Sequence, residues 1–341
     1  MCFVVKDIEL NALAARCFHA SVICQGKVYL HGGLNKYKSK NPLNDIVLLD
    51  VLKGEISAIP TKTVGPARSH HTAVILKDRY ICVVGGWDGK KRTADVWLFD
   101  MHVYQWTLLI AMPSSNTPAG LSSHTCTVVQ DTEMIITGRE GGVHMQRRFG
   151  SVFKLTINLQ NGQYTYAELP MHISSRSGHT TCLTFNKLSH DTKQKDQANL
   201  VIVGGRDAEN IDVVRISASV KPLNEDLGNI IHQLIKNKLL LPAAGKSHRL
   251  RHHAAVSAGN FCVLQGGEMF GKVRDTITHN LLVYDSSGTK CWQVTLPADD
   301  CTLLEKMGHT MIWYAPKLYL IGGVQQKSIV PSNIVEITLS I

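Results

Sequence analysis

A chain of 341 residues repeats one short pattern six times, and this repetition limits what it can fold into. In each copy an apolar run ends in two adjacent glycines, or in Gly138-Arg139 in the third copy. The doublets are Gly32-Gly33, Gly85-Gly86, Gly204-Gly205, Gly266-Gly267 and Gly322-Gly323. Counted with Gly138, their first glycines lie 53, 53, 66, 62 and 56 residues apart. A period of this length predicts an array of similar units that bury their apolar faces against one another.

A histidine precedes each glycine position by 13 or 14 residues, except in the fourth copy, where the interval is 25. These histidines are His19, His71, His124, His179, His252 and His309. A basic residue usually stands three positions earlier, as Arg16, Arg68, Arg176, Arg249 and Lys306, with Leu121 in the third copy. The extra length of the fourth copy lies in a polar stretch at 185–197, which predicts a lengthened surface loop between two strands.

Each copy contains short runs rich in β-branched and aromatic residues. In the second copy they are HTAVIL, YICVV, DVWLFD and QWTLLI, separated by turn residues. Such runs predict a four-stranded antiparallel sheet. Continuous apolar runs such as YICVV and KVYLH are typical of strands buried on both faces. Six such units without a helical period predict an all-β, six-bladed β-propeller.

The order of histidine, two strands, Gly-Gly, a strand led by Asp or Asn, and a late tryptophan (Trp106, Trp292) resembles the kelch family. The resemblance covers nearly the whole chain and implies one propeller domain over 1–341. Its approximate repeats are 16–65, 66–118, 119–173, 174–245, 246–300 and 301–341. We expect the ring to be closed by residues 2–8, because CFVVKDIEL reads as a strand and the last copy lacks a fourth one. A signal peptide is disfavoured, since the apolar run has five residues and Lys6 and Asp7 follow.

Composition favours a soluble intracellular chain. No apolar stretch approaches the length of a membrane span. The nine cysteines are an odd number without a Cys-x-x-Cys pair, and Cys24, Cys82, Cys126, Cys182 and Cys262 fall inside strands. We therefore expect reduced thiols and a cytoplasmic, or also nuclear, localisation.

One segment departs from the repeat. In residues 224–242 the apolar positions Leu227, Ile230, Ile231, Leu234 and Ile235 follow a helical spacing, with acidic residues before them and Pro242 beyond them. This predicts a short helix near 224–238. Its apolar stripe either packs on the flank of the propeller or docks a partner.

The recurrent histidines do not indicate a metal site, because one per blade around a ring cannot converge on an ion. A structural role, tying each inner strand to neighbouring backbone, fits better. The chain has no His-Glu-x-x-His, Cys-x-x-Cys, P-loop or Gly-x-Ser-x-Gly motif. Kelch-like oxidases hold copper with two Tyr and two His, and nothing marks such a set here. We expect no enzymatic activity, no metal and no cofactor.

The loops after the glycine positions are basic, with thirteen Lys or Arg against nine acids. Equivalent loops of a propeller emerge at one end, so we predict a partner-binding face there. Its residues are Lys38, Trp87, Arg92, Arg139, Arg147, Arg148, Arg206, Phe270 and Arg274. The family resemblance implies that arginines such as Arg92 and Arg206 grip acidic or carboxylate-bearing partners. Alternatively, basic loops simply reflect a formal net charge of +9.

These observations predict a protein-interaction module, an adaptor or scaffold, that binds an acidic peptide or protein segment. Nucleic acid is disfavoured, because the basic residues are spread over six loops and interrupted by acids. The oligomeric state is left open. The resemblance also implies a second role, as the substrate-recognition subunit of a cullin-type ubiquitin ligase. The chain shows neither a BTB domain nor an elongin-binding box, so we expect that role to need residues 222–242 or another subunit.

Overall fold

The computed structural model describes residues 3–138, 150–185, 197–206, 210–243, 250–269, 276–295 and 300–339. Within these residues six sheets form the blades of a propeller. The innermost strand of each blade contacts the innermost strands of both neighbouring blades, including the first with the sixth. The predicted all-β propeller is therefore confirmed, and its ring is closed.

The first three blades follow one another along the chain. Blade 1 contains β2 (Ala20–Cys24), β3 (Lys27–His31), β4 (Ile46–Asp50) and β5 (Glu55–Ala58). Blade 2 contains β6 (Thr72–Leu76), β7 (Tyr80–Trp87), β8 (Arg92–Asp100) and β9 (Gln105–Leu108). Blade 3 contains β11 (Thr125–Gln130), β12 (Glu133–Thr137), β13 (Gly150–Asn158) and β14 (Gln163–Ile173), with β10 (Ile110–Ala111) added in parallel at its edge.

The remaining blades are less regular. Blade 4 contains β15 (Thr180–Phe185), β16 (Gln197–Val203) and β17 (Asp212–Ser217), and the helix α1 (Glu225–Lys236) follows it. Blade 5 contains β20 (Ala254–Ala258), β21 (Phe261–Gln265), β24 (Leu281–Asp285) and β25 (Cys291–Gln293), with β18 (Leu241–Pro242) at its edge. Beside it β19 (Leu250–Arg251), β22 (Glu268–Met269) and β23 (Thr276–Ile277) form a small sheet. Blade 6 follows a short helix, α2 (Cys301–Leu304), and contains β26 (Thr310–Tyr314), β27 (Lys317–Ile321) and β28 (Asn333–Leu339).

The sixth blade is completed from the other end of the chain. Strand β1 (Phe3–Glu9) pairs antiparallel with β28 and forms the outermost strand of that blade. The predicted closing strand is thus confirmed for the described residues. The pairing gives the edge of β28 a partner that a linear stack of blades would leave open.

Every pair of adjacent blades shares its own hydrophobic core, so six apolar clusters follow the ring. Because side chains alternate along a strand, β3 sends Val28 and Leu30 towards blade 6 and Tyr29 towards blade 2. This explains why a strand such as KVYLH is apolar at successive positions. Each blade is stable only between two others.

The glycine doublets lie where neighbouring blades approach most closely. A Cβ on the first glycine of a doublet would collide with the next blade: at Gly32 it would overlap the carbonyl oxygen of Arg68 and lie 3.0 Å from Cε1 of His71. A Cβ on Gly33 would instead collide with His19 of its own blade, at 2.8 Å. Both glycines also have positive φ, 63° and 94°. Backbone approach and backbone conformation together require glycine here.

Where a repeat has a basic residue three positions before its histidine, that residue is buried and paired with a residue near the start of the third strand. Arg16 bonds Asp45 at 2.9 Å, and Arg68–Asp95 and Arg176–Asp212 are equivalent pairs at 2.5 Å. In blade 6 the buried Lys306 donates to Asn333 Oδ1 at 3.3 Å, and burial lowers the pKa of Lys306 to about 8. The repeats without a basic residue have no acid at the paired position. Leu121 corresponds to Ser151 and Leu250 to Asn280.

Blade 4 differs from the four-stranded blade that the repeat predicts, since within the described residues its sheet has three strands. After β17 the chain leaves the sheet instead of turning back along it. The Ser219 amide donates to the carbonyl of Val129 in blade 3, and the Gly259 amide in blade 5 donates to the carbonyl of Leu223. In place of a fourth strand, residues 218–224 cross from blade 3 to blade 5 and lead into α1. The predicted loop at 185–197 lies almost wholly outside the described residues.

Helix α1 confirms the helix predicted near 224–238. Its residues Leu227, Ile231 and Leu234 are buried in the core shared by blades 5 and 6. The Trp313 indole donates to Asp226 Oδ2 at 2.9 Å and fixes the first turn of the helix on blade 6. The apolar stripe therefore packs on the flank of the propeller, which was the first of the two interpretations of this segment. No helix within the described residues has the length and apolar character of a membrane span.

One prediction about the cysteines is wrong. Cys182 in β15 and Cys262 in β21 form a disulfide between blades 4 and 5. Their Cα atoms lie 5.6 Å apart, a separation that disulfide geometry accommodates. The sequence placed both residues inside strands, but could not show that these strands face each other. Cys17, Cys24, Cys82 and Cys126 are free thiols.

Replacing Gly322 by alanine is expected to destabilise the protein more than replacing Gly162. The two have similar φ, 64° and 67°, so each alanine incurs a left-handed backbone strain of about 1–2 kcal/mol. A Cβ at Gly162 meets only Leu109 Cδ2, at 4.0 Å, whereas at Gly322 it overlaps the carbonyl oxygen of Arg16 where the ring closes. Urea unfolding of both variants tests this, and equal losses would contradict the close approach.

The Arg176–Asp212 pair predicts a non-additive double substitution. Asp212→Ser alone leaves the fully buried Arg176 without its carboxylate, which costs about 3–5 kcal/mol. Arg176→Leu with Asp212→Ser recreates the Leu and Ser found at these positions in blade 3. We expect the double variant to lose less free energy of unfolding than the sum of the single variants. Additive losses, measured by chemical denaturation, would rule out this coupling.

Candidate functional site

A cavity of about 430 Å³ opens at the end of the propeller where the loops after the glycine doublets emerge. Residues from all six blades line it. Its volume falls within the usual range for ligand-binding pockets. We call it the mouth cavity.

The floor of the mouth cavity is a ring of six residues, one from each blade. They are Phe18, His70, Ser123, Gly178, His252 and Gly308, and all have positive φ between 53° and 71°. The backbone amide of each donates to the carbonyl of the ring member in the preceding blade, with N–O distances of 2.6 to 2.9 Å. The last bond runs from Phe18 to Gly308 and closes the circle. We call this arrangement the floor ring.

The floor ring corrects the histidine assigned to blade 5. His252 belongs to the ring, whereas His253 takes the position of the repeat histidine, because its Nε2 lies 2.8 Å from Thr180 Oγ1 of blade 4. His124 and His19 make the same contact with Thr72 and Thr310. The predicted His252, and with it the predicted Arg249, are therefore displaced by one residue. Leu250 occupies the basic position in this blade.

The repeat histidines are neutral structural groups. Burial lowers the pKa of His124 and of His253 to about 4, and that of His309 to about 3. Within the part of the chain that the structure describes, no group of three His, Cys, Asp or Glu could hold a metal ion. The hydrogen bonds to threonines of the preceding blade agree with the structural role predicted for these residues.

The wall of the mouth cavity in blade 2 carries two of the predicted residues. Trp87 and Arg92 are directly opposite each other at the end of the β7–β8 hairpin. The carboxylate of Asp88 accepts the amides of Lys90 and Lys91, both at 2.7 Å, and so holds the turn between them. Burial, and then the charge of Arg92, lower the pKa of His70 in the floor ring to about 4. The positive charge of Arg92 therefore disfavours protonation of His70 in the floor ring.

Blades 4 and 5 contribute two more arginines. The Arg206 amide donates to the carbonyl of Ser177 at 2.8 Å, and both residues line the cavity. Arg251 bonds Glu268 through Nε at 2.6 Å, and both also line it. Burial, then His70 and Arg251, hold the pKa of His252 well below its usual value. The wall is thus cationic while the histidines of the floor are neutral.

The structure brings together those predicted site residues that it describes. Lys38, Trp87, Arg92 and Arg206 all line the mouth cavity. The other predicted residues, Arg139, Arg147, Arg148, Phe270 and Arg274, lie outside the described residues. Asp45, Asp95 and Asp212, which belong to the same loops, are the partners of the buried arginines.

Sequence reasoning missed a second layer of the wall. It is formed by residues two positions before each repeat histidine, which bridge to the residue after the glycine doublet. The members that line the cavity are Ser69, Ser122, Ser177, Arg251 and Met307. The same alignment of repeats contains this position. It lies outside the loops after the doublets, which carry the basic charge in the sequence. In blade 5 the repeat histidine is His253 and not His252, so the sequence pattern did not assign Arg251 to this position.

Comparison with known proteins agrees with this architecture. A family model described as the KLHDC2/KLHL20/DRC7 Kelch-repeats domain matches residues 5–190. A solved structure, the structure of YjhT, superposes with a TM-score of 0.58 over 94% of both chains at 11% identity, which shows the fold alone. The chain belongs to the kelch-repeat family, whose repeats generally mediate protein–protein interactions.

Within that family the chain is similar to Kelch domain-containing protein 9. It is 34% identical to the human and 35% identical to the mouse protein over 323 residues, 93% of this chain and 90% of each relative. Human Kelch domain-containing protein 10 is 29% identical over 136 residues, 38% of this chain and 29% of that protein.

The buried histidines predict that stability falls as the pH is lowered below about 6.5. In the unfolded chain they take up protons near pH 6.5, whereas in the folded protein His124 does so only near pH 4. Between these values the unfolded state binds more protons, so the free energy of unfolding decreases with falling pH. Urea titrations from about pH 7 to about pH 4.5 measure the slope. We expect His124→Gln to reduce it and the exposed control His102→Gln to leave it unchanged. An unaltered slope in His124→Gln would contradict the assignment.

Proposed function

We propose that this protein is a non-enzymatic interaction module, an adaptor or scaffold, that binds an acidic or carboxylate-bearing segment of a partner in the mouth cavity. The observation that carries the proposal is the presence of Arg92, Arg206 and Arg251 around one cavity of ligand size. Guanidinium groups bind carboxylates through paired, charge-assisted hydrogen bonds. Serine hydroxyls at Ser122 and Ser177 add donors beside them.

The proposal agrees with the charge of the wall. Arg251 is paired with Glu268, and Arg92 and Arg206 of other blades line the same cavity. Their charges do not depend on pH in the physiological range, and the floor histidines stay neutral. Binding of an acidic segment should therefore weaken with salt, but change little between about pH 6 and pH 8.

The alternative role, recognition of substrates for a cullin-type ubiquitin ligase, needs a further surface that recruits the ligase. From the sequence, the insert at 222–242 was a candidate for this recruiting surface. The apolar stripe of α1 is buried against blades 5 and 6, so this face of the helix is not available to bind a partner. No observation on the described residues favours the ligase role over the simpler one. A cytoplasmic or nuclear location is proposed on composition alone.

Reversal of charge in the mouth cavity is expected to abolish partner binding while the fold survives. The test variant is Arg92→Glu with Arg206→Glu. The matched control is Lys53→Glu with Arg215→Glu, which changes the net charge equally at exposed positions outside the cavity. Each is compared with wild type by proximity labelling and by selection of binders from a displayed peptide library. Thermal melts confirm folding.

We expect the wild type and the control to select the same acidic peptides and partners, and the cavity variant to lose both. Loss of about tenfold or more in affinity is the expected scale for two removed charge-assisted contacts. An unchanged set of partners in the cavity variant would disprove the proposal.

A further inference from the structure

The chemistry of the mouth cavity changes from one side of the ring to the other. Each blade supplies two wall positions: the residue two before the repeat histidine and the residue after the glycine doublet. They are joined as antiparallel bridges, for example Cys17 with Leu34 in blade 1 and Ser177 with Arg206 in blade 4. The blades are similar in backbone, so differences at these positions decide what each side of the cavity can contact.

Blades 6 and 1 form an apolar side. Met307 of blade 6 and Leu34 of blade 1 line the cavity and belong to one buried apolar cluster with Phe18 of the floor. Tyr37 packs on this cluster, with its ring centroid 6.4 Å from that of Phe18 and nearly parallel to it. The Phe18 ring in turn stacks on His70 at 4.1 Å. On this side the half-buried Tyr37 ring covers an apolar layer in which Leu34 and Met307 are each only 4% exposed.

Blades 3 to 5 form a polar, cationic side. Their described wall residues are Ser122, Ser177, Arg206 and Arg251, the last of them bonded to Glu268. Blade 2 lies at the boundary, because Trp87 and Arg92 are directly opposite residues of one hairpin. The two chemistries therefore meet within a single cavity of about 430 Å³.

We infer that the ligand of the mouth cavity is bipartite: an anionic group together with a large apolar side chain on a neighbouring residue. The anion faces blades 3 to 5, and the apolar side chain lies against Tyr37, Leu34 and Met307. The inference rests on the proposed function and adds a rule of specificity to it. A purely acidic segment would leave the half-buried Tyr37 ring in contact with water, and burying its apolar surface is worth about tenfold in affinity.

Synthetic peptides of equal length test this rule. Each carries one glutamate or a glutamine in its place, and the neighbouring residue is Phe, Leu, Ser or Lys. Fluorescence anisotropy gives the affinities for the full-length protein. Peptides with a free and with an amidated C terminus distinguish a side-chain carboxylate from a terminal one, and either source satisfies the rule. We expect glutamate beside Phe or Leu to bind about tenfold more tightly than glutamate beside Ser.

Variants assign each half of the peptide to its side of the cavity. Tyr37→Ser should remove most of the preference for Phe over Ser, and Tyr37→Phe should retain it. Arg206→Gln should reduce the preference for glutamate over glutamine and leave the apolar preference intact. The control is Ile110→Ser, which removes an exposed apolar side chain outside the cavity.

The outcomes separate the two hypotheses. If acidic peptides bind equally well beside Phe and Ser, the bipartite rule is overturned and the acidic binding site remains. If apolar peptides bind equally with glutamate and glutamine, and equally with a free and an amidated C terminus, the rule is overturned from the other side. If none of the glutamate peptides binds, the proposed function itself fails. A loss of preference in Ile110→Ser as large as in Tyr37→Ser would remove the assignment to the cavity.

Discussion

The floor ring is the constraint on which the rest of the molecule depends. Six amides and six carbonyls on the innermost edge of the propeller satisfy one another in a closed circle, and each participant must adopt left-handed backbone. Such a conformation costs about 1–2 kcal/mol for a residue other than glycine. The histidine that follows, and the glycine doublet that packs against it, hold each blade at the distance at which these bonds form. The circle uses backbone only, so its side chains are left free to differ: Phe, His, Ser, Gly, His and Gly.

The buried arginines serve the same geometry farther out. Arg16, Arg68 and Arg176 each join the start of a blade to a residue near the start of its third strand. The loop after the glycine doublet is therefore tied at its far end as well as at the doublet. A buried guanidinium without a carboxylate would be unfavourable, which agrees with the presence of the acid in each blade that has arginine at this position. Loops fixed at both ends can present side chains in defined positions.

Much of this architecture could be predicted from the sequence, because its strongest constraints repeat. Glycine at the doublets and histidine at the inner strands are required by contacts between neighbouring blades, so their spacing reveals the number of blades. Prediction failed where local pattern gives no information. His252 and His253 both satisfy the spacing, and the structure tells them apart by the left-handed φ of His252 and the contact of His253 with Thr180. In the part of the chain that the structure describes, the fourth blade has three strands, because residues 218–224 bond to blades 3 and 5. The Cys182–Cys262 bond joins strands of different blades.

In the mouth cavity, differences between the repeats give a bound ligand a preferred orientation. Six identical blades would give a cavity with six equivalent sides, to which a peptide could bind in six equivalent orientations. Two wall positions per blade break this symmetry here, since Met307 and Leu34 lie opposite serines and arginines. The wall residues differ between blades, but each lies one or two positions from a residue that the ring requires in every blade. Those fixed residues are the floor ring, the repeat histidine and the glycine doublet. A side chain at such a position inherits a fixed backbone, so a change in its chemistry alters what the cavity recognises without altering the ring beneath it.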